Sequence, residues 1–297
     1  MFQFFVDTVL RASDLALIAL GLSLVYGLVK FPNIAHVQYA MVGAYVTYAL
    51  YAAGVPLAAA ILASSLLTGA LTLALHLLVF RRLLRAGPAI TLIGSLAVSM
   101  LVVAFAQGFA GSFPRMFNLP VSQSLVVGDA HISPTQLYAV STTVVLLALV
   151  GVLLFYTRTG RAMRALSCNP ALAAASGLNA EAITRLVNFA SGAIAGLGGS
   201  MLALSTGAHI QLGHDLLLPV FAAAILGGLG NPLGAVAGAV LIALTETLVT
   251  NLNFGWVVGK PVAFLPIAYI SAASFLILLL ALLFKPYGLF DREVRRV

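Results

Sequence analysis

Apolar runs of about 18 residues or more recur from one end of this chain to the other, separated by short polar breaks, and no other feature restricts its fold as much. Coiled as a helix with a rise of about 1.5 Å per residue, such a run matches the roughly 30 Å hydrocarbon core of a bilayer. Long alternation of polar and apolar residues is absent, which argues against barrel strands. The expected fold is all-α: a polytopic transmembrane helical bundle of about eight or nine membrane segments with at least one broken helix. Residues 1–297 form one transmembrane domain.

Composition agrees with this. Hydrophobic residues make up 62% of the 297 and charged residues 8%, where soluble domains average about 45–50% and about 25%. The longest polar gaps are about 25 residues, and a soluble domain starts at roughly 50. The net charge of +7 resides in basic clusters between the apolar runs. It therefore reads as an orientation signal at a lipid bilayer and not as a nucleic-acid surface. Cys168 is the only cysteine, so an intrachain disulfide is excluded. The opening MFQFFVDTVLRASD lacks a positive leading region and a small-residue cleavage site, so a cleaved signal peptide is not expected.

Spans are expected at about Asp14 to Val29, Val37 to Gly54, Pro56 to Phe80, Ala89 to Ala110, Gln136 to Tyr156 and Ile183 to Thr206. Lys30-Phe31-Pro32-Asn33 breaks the first two apart, because proline lacks an amide donor and disfavours helix in the residue before it. Leu216 to Asn251 reads as two short segments meeting at Asn231-Pro232, either two crossings or a re-entrant pair buried in protein. A last span, Val262 to Phe284, precedes the basic tail Lys285 to Val297. Basic clusters at Arg81 to Arg85, Arg158 to Arg164 and Lys285 to Arg296 place their loops and the C-terminus in the cytoplasm. Parity is then satisfied by two crossings between Leu216 and Asn251, with the N-terminus, Gly111 to Pro134 and Asn251 to Lys260 outside. Gly192, Gly196 and Ser200, and again Gly230, Gly234 and Gly238, follow a four-residue spacing that predicts close helix packing.

The longest interior run without a spanning block is Thr157 to Arg185, with four of the fifteen Lys and Arg residues. Within it Asn169 and Pro170 read as an N-cap and first helical position, Ala171 to Ser176 as a short helix, and Gly177 as its left-handed stop. Asn179 caps a second helix with Glu181 in its first turn. A short helix exposed between two spans is a feature a soluble partner can push against.

Candidate solute-handling residues cluster at the first break. Asn33 and His36 precede the second span, and His36, Ala40, Gly43 and Thr47 share a small, polar helical face suited to lining a passage. The alternative is that Asn33 caps the helix at the water interface and His36 satisfies a neighbouring carbonyl. Glu246 is the acidic residue clearly inside a span, where an ionisable group costs roughly 2.5–3.5 kcal/mol on insertion scales. It serves a structural hydrogen bond, stays as the neutral protonated acid, or takes part in translocation. Asp14 and Lys30 bracket the first span as interfacial residues, and His76 reads as a helix-packing histidine. The five histidines are scattered and suggest no metal site.

Enzyme signatures are absent: no G-x-x-x-x-G-K-[ST], no H-E-x-x-H and no G-x-S-x-G. No catalytic residue and no cofactor is expected. If ATP drives transport here, its hydrolysis takes place on another chain.

Four stretches resemble the LivH-type permeases of ABC importers for branched-chain amino acids: Ala16 to Val46, the loop RTGRAMRALSCNPALAAASGLN, AAAILGGLGNPLGAVAGAVLIALTET, and the ending FKPYGLFDREVRRV. They occur in the family's order over nearly the full length. The resemblance implies an inner-membrane permease that imports branched-chain or related small amino acids. Its implied partners are a second, LivM-like permease, two cytoplasmic ATPase subunits and a periplasmic substrate-binding protein. It also implies an ATPase-docking helix at the positions matching Asn169, Pro170, Ala173, Ala174, Gly177, Leu178 and Asn179. After His36 the family usually has Gly and a polar or acidic residue, where this chain has Val37 and Gln38. On a passage lined by Asn33, His36, Gln38, Ala40, Gly43, Thr47 and Glu246, small amides and urea are also plausible cargo. An ion- or proton-coupled carrier or channel acting alone, with Glu246 carrying the coupling, is the alternative reading.

Overall fold

A computed structural model describes residues 2–119, 124–127, 130–253, 264, 266, 269–284 and 288–289. Its helices are α1 (Phe2–Val29), α2 (His36–Ala52), α3 (Leu57–Leu75), α4 (Arg81–Leu83), α5 (Pro88–Ala110), α6 (Pro134–Tyr156), α7 (Arg158–Cys168), α8 (Pro170–Ala175), α9 (Ala180–Thr206), α10 (Leu212–Gly227), α11 (Pro232–Asn251) and α12 (Ile270–Phe284). A π-helical turn, His76–Phe80, joins α3 to α4, so the helix continues to Ala86. Two short antiparallel strands, β1 (Leu125–Val127) and β2 (Ala130–Ile132), pair Val126 with His131. The start of the expected last span, most of the loop from Asn251 to Lys260 and most of the tail from Lys285 lie outside the described residues.

Among the described residues, six helices are long and apolar enough to cross a membrane: α1, α3 extended through Ala86, α5, α6, α9 and α11. The remaining apolar helices α2, α10 and α12 have 17, 16 and 15 residues. The fold is thus a polytopic helical bundle, as its apolar runs require. α1 starts at Phe2 and not near Asp14, because its polar residues find partners inside the structure: Gln3 Nε2 donates to Asp7 at 2.6 Å, and Arg11 reaches α11. Two further segments have no counterpart among the expected elements, namely the helix α7 and the strand pair.

α1 and α9 are the most enclosed of the long helices, whereas α5 and α6 present most of their apolar surface outward. Close approach around α9 comes from small residues. A side chain on Gly192 would strike Thr72, one on Gly196 would strike Thr68, and one on Gly69 would strike the Phe189 carbonyl, so α3 and α9 touch along one seam. Ser65 Oγ donates to the Ala193 carbonyl across that seam at 2.8 Å. Without large side chains between them, backbones approach closely enough for such bonds. The hairpin of α10 and α11 uses the same device, with Gly227 on Gly234 and Gly238 on the Ala223 carbonyl.

The bundle has two distinguishable ends. At the Val29 end of α1, Gly27 meets Gly230 in the α10–α11 turn and its carbonyl accepts from Ser167 Oγ of α7 at 2.9 Å. At the other end, His131 N–H donates to Gln3 at 3.1 Å, Arg115 pairs with Ala208 through two backbone bonds, and Tyr51 Oη donates to the Asn118 carbonyl at 2.9 Å. The α10–α11 hairpin turns at the Val29 end, where Gly230 meets Gly27, and α11 returns along α1 to bring Glu246 to Arg11.

Candidate functional site

The broken helix is built by the Lys30–Asn33 sequence. Lys30 adopts φ +56°, a left-handed conformation that terminates α1 and turns the chain back on itself. Phe31 and Asn33 are buried, and α2 begins inside the bundle. His36 Nε2 donates to the Ile18 carbonyl at 3.2 Å. Ile18 lies eleven residues before Val29, so at 1.5 Å per residue the α2 N-terminus sits roughly 16 Å in from the end of α1.

Asn33 satisfies the exposed start of this half-helix: its side-chain oxygen accepts from the Ala35 N–H and its carbonyl from the His36 N–H, each at 3.1 Å. The Ile34 N–H donates to Ser95 Oγ of α5 at 3.1 Å. These bonds to the amides at the start of α2 are made deep in protein and not at a water interface, and the N-cap position itself is Ala35. The face carrying Ala40, Gly43 and Thr47 is packed directly on α9. A side chain on Gly43 would strike the Gly196 carbonyl, one on Gly199 would strike the Ala40 carbonyl, and Thr47 Oγ1 lies 2.8 Å from Ser200 Oγ. In this conformation the face borders another helix and not an open channel. Gln38 points the other way, against Gly213 of α10. His36 Nδ1, Gln38 Oε1, Thr68 Oγ1 and Ser191 Oγ are buried without a hydrogen-bond partner. The opposite side of α2, with Val42, Tyr45, Val46 and Ala49, lines an apolar groove of about 800 Å³ shared with α3 and α5 and capped by Arg115.

Glu246 is separate from this break. It is 2% exposed, and its Oε2 lies 2.6 Å from Arg11 Nε of α1, while Ser274 Oγ of α12 donates to Oε1. A charge buried in an apolar bundle needs such a partner. Sequence reasoning missed Arg11 because the pair is separated by 235 positions. An arginine one turn before an acid at the start of the first apolar run was the available signal. Among the described residues no group of three His, Cys, Asp or Glu converges as a metal site.

The loop at 157–185 is structured throughout by caps. Thr157 Oγ1 accepts from the Gly160 N–H at 3.1 Å to start α7. Asn169 Oδ1 accepts from Leu172 N–H at 3.0 Å, with Pro170 in the first turn of α8. Gly177 at φ +80° ends α8: its N–H donates to Ala174 at 3.0 Å and that of Leu178 to Ala173 at 3.1 Å. These two bonds are the Schellman pattern, which needs a left-handed residue at the glycine's place. Asn179 then caps α9 through the Ala182 N–H at 3.0 Å. Ala173 is buried, while Ala171, Ala174 and Ala175 are exposed and Leu172 is 65% exposed. α8 therefore offers a small apolar face at the Val29 end of the bundle. α7 tucks Gly160, Met163 and Leu166 inward and leaves Arg158, Arg161 and Arg164 exposed.

Comparison with known proteins places this geometry in a family. Residues 4–284 match the model of the branched-chain amino acid transport system permease component. The chain is 30% identical over 293 residues to a probable branched-chain amino acid transport permease protein LivH of Methanocaldococcus jannaschii, covering 95% of this chain and 90% of the relative. It is 28% identical over 305 residues to the high-affinity branched-chain amino acid transport system permease protein LivH of Escherichia coli strain K12, covering 96% and 94%. A solved structure, PsaBC from Streptococcus pneumoniae in complex with Fab, has a chain of similar fold, with a TM-score of 0.50 at 14% identity over 95% of this chain and 92% of that one. The chain belongs to the family of branched-chain amino acid transport system permease components.

Proposed function

We propose that this chain is the inner-membrane permease subunit of an ABC importer that carries branched-chain or related small amino acids into the cytoplasm. ATP hydrolysis takes place on two separate cytoplasmic ATPase subunits. A second, LivM-like permease and a periplasmic substrate-binding protein complete the assembly, and the Val29 end of the bundle with α8 faces the cytoplasm. The observation that carries this reading is α8: a helix of six residues, capped at both ends, that exposes Leu172 beyond the spans. So short a helix is marginal in isolation, so both caps preserving it on a bundle end fit a docking element.

The passage forms where α2 starts inside the bundle. Buried polar atoms without partners cost about 1–3 kcal/mol each, and His36, Gln38, Thr68 and Ser191 carry four of them near the α2–α3–α9 contacts. A polar solute or water meets the His36, Thr68 and Ser191 atoms when α2 and α9 part, exposing Ala40, Gly43 and Thr47. Asn33 and Gln38 border the passage at the start of α2, with Gln38 on its α10 side. A lone ion-coupled carrier working through Glu246 is less well supported, since both its carboxylate oxygens are engaged by Arg11 and Ser274. The test is Leu172→Asp together with Ala174→Asp. Both variants are expected to insert normally, lose copurified ATPase and abolish uptake. Retained ATPase and normal uptake would falsify the docking assignment.

A further inference from the structure

We propose that Glu181 is the positioning residue through which movement of α8 is delivered to α3 as well as to α9. This rests on the docking of α8 proposed above. α8 is joined to α9 by only 176–179, so a push on α8 arrives first at the opening turn of α9. Glu181 occupies that turn, and its Oε1 lies 2.8 Å from Arg81 Nη2 and also receives Arg185 Nη2 from one turn further along α9. Arg81 is the first residue of α4, directly after the π-helical turn His76–Phe80 that continues α3. One carboxylate therefore ties the cytoplasmic ends of the two helices that share the bundle's small-residue seam.

The placement of the π turn matters for this role. A π turn holds an extra residue and is a common site of local helix adjustment. It lies between Arg81 and the seam positions Thr72, Thr68 and Ser65, which touch Gly192, Gly196 and Ala193. The seam continues into α2, since Ser64 Oγ donates to the Gly43 carbonyl at 2.7 Å and Ser200 meets Thr47. With the bridge intact, a push on the first turn of α9 reaches α3 at Arg81, beyond the π turn, as well as through the seam, and is carried on to α2. With it cut, the seam alone transmits the push and the end of α3 at Arg81 lags behind α9. All three side chains are 44–47% exposed, and ion pairs so exposed add little to static stability. Removing the bridge is thus expected to spare the fold and change the transmission.

The experiment uses the full importer, reconstituted in proteoliposomes with its ATPases and binding protein, and reads amino acid taken up per ATP hydrolysed. Glu181→Gln and Arg81→Gln should each lower this ratio by about threefold or more, with ATPase copurification and melting temperature unchanged. Reversing all three charges, Arg81→Glu and Arg185→Glu with Glu181→Arg, should recover most of it, since Arg185 shares the Glu181 carboxylate. An unchanged ratio in the single variants, or a fully reversed variant as poor as either single, overturns the proposal. Loss of the ATPase from Glu181→Gln also overturns it, by making Glu181 part of the docking surface. The docking reading fails separately, if Leu172→Asp keeps its ATPase.

Discussion

Glu246 shows what a single charged residue in an apolar span demands. Its carboxylate is nearly inaccessible, Arg11 is 29% exposed, and Ser274 closes the third side, so α1, α11 and α12 meet at one polar point. Removing one partner of such a pair leaves an uncompensated charge at a cost of about 3 kcal/mol. Glu246→Gln should therefore lower the melting temperature of the purified protein clearly, and Arg11→Met combined with Glu246→Leu should recover part of the loss. A Glu246→Gln protein as stable as the parent would mean that the pair is not formed. Glycine carries the opposite constraint. A side chain at Gly199 runs into the Ala40 carbonyl, so Gly199→Val is expected to cost about 1–3 kcal/mol by overpacking. Thermal unfolding in detergent measures that cost.

At the scale of an element, α8 depends on its caps far more than on propensity. Gly177 sits at φ +80°, where a residue with a Cβ pays roughly 1–2 kcal/mol. Gly177→Val should fray α8 and weaken ATPase copurification, while Gly177→Asn, tolerated in left-handed backbone, should retain it better. Equal copurification by both variants would detach docking from the helix stop. Position also separates two neighbouring alanines. Ala174 is exposed and Ala173 buried, so a charge at 174 tests the docking face and a charge at 173 tests the fold of the loop.

For the whole molecule, the arrangement is a half-helix α2 held between α9 and an apolar groove, with its start deep in the bundle. The packed face at Ala40 and Thr47 is closed on α9. In a Cys168→Ser background, which removes the exposed native thiol, Ala40→Cys and Thr47→Cys should resist a water-soluble maleimide at rest. In the assembled importer they should become reactive during ATP turnover. Labelling that is equally fast with and without ATP would place the passage elsewhere. The groove of about 800 Å³ between α2, α3 and α5 is the other surface that α2 borders.

Much of this was legible in the chain itself. Length and apolarity of the runs determine a helical membrane bundle, since backbone groups in hydrocarbon must be satisfied within the segment. The Asn-Pro start, glycine stop and following Asn of the 169–179 loop determine α8 and the start of α9, because caps are local chemistry between residues three to five apart. The Lys30–Asn33 break was legible for the same reason, but not its depth. That α2 begins beside Ile18, that its small face is packed on α9 in this conformation, that Arg11 reaches Glu246, and that Glu181 bridges to Arg81 were all decided by the tertiary structure. Each depends on which helices become neighbours. Apolar runs of similar composition carry no label for their partners, and only backbones brought together by small residues settle that choice.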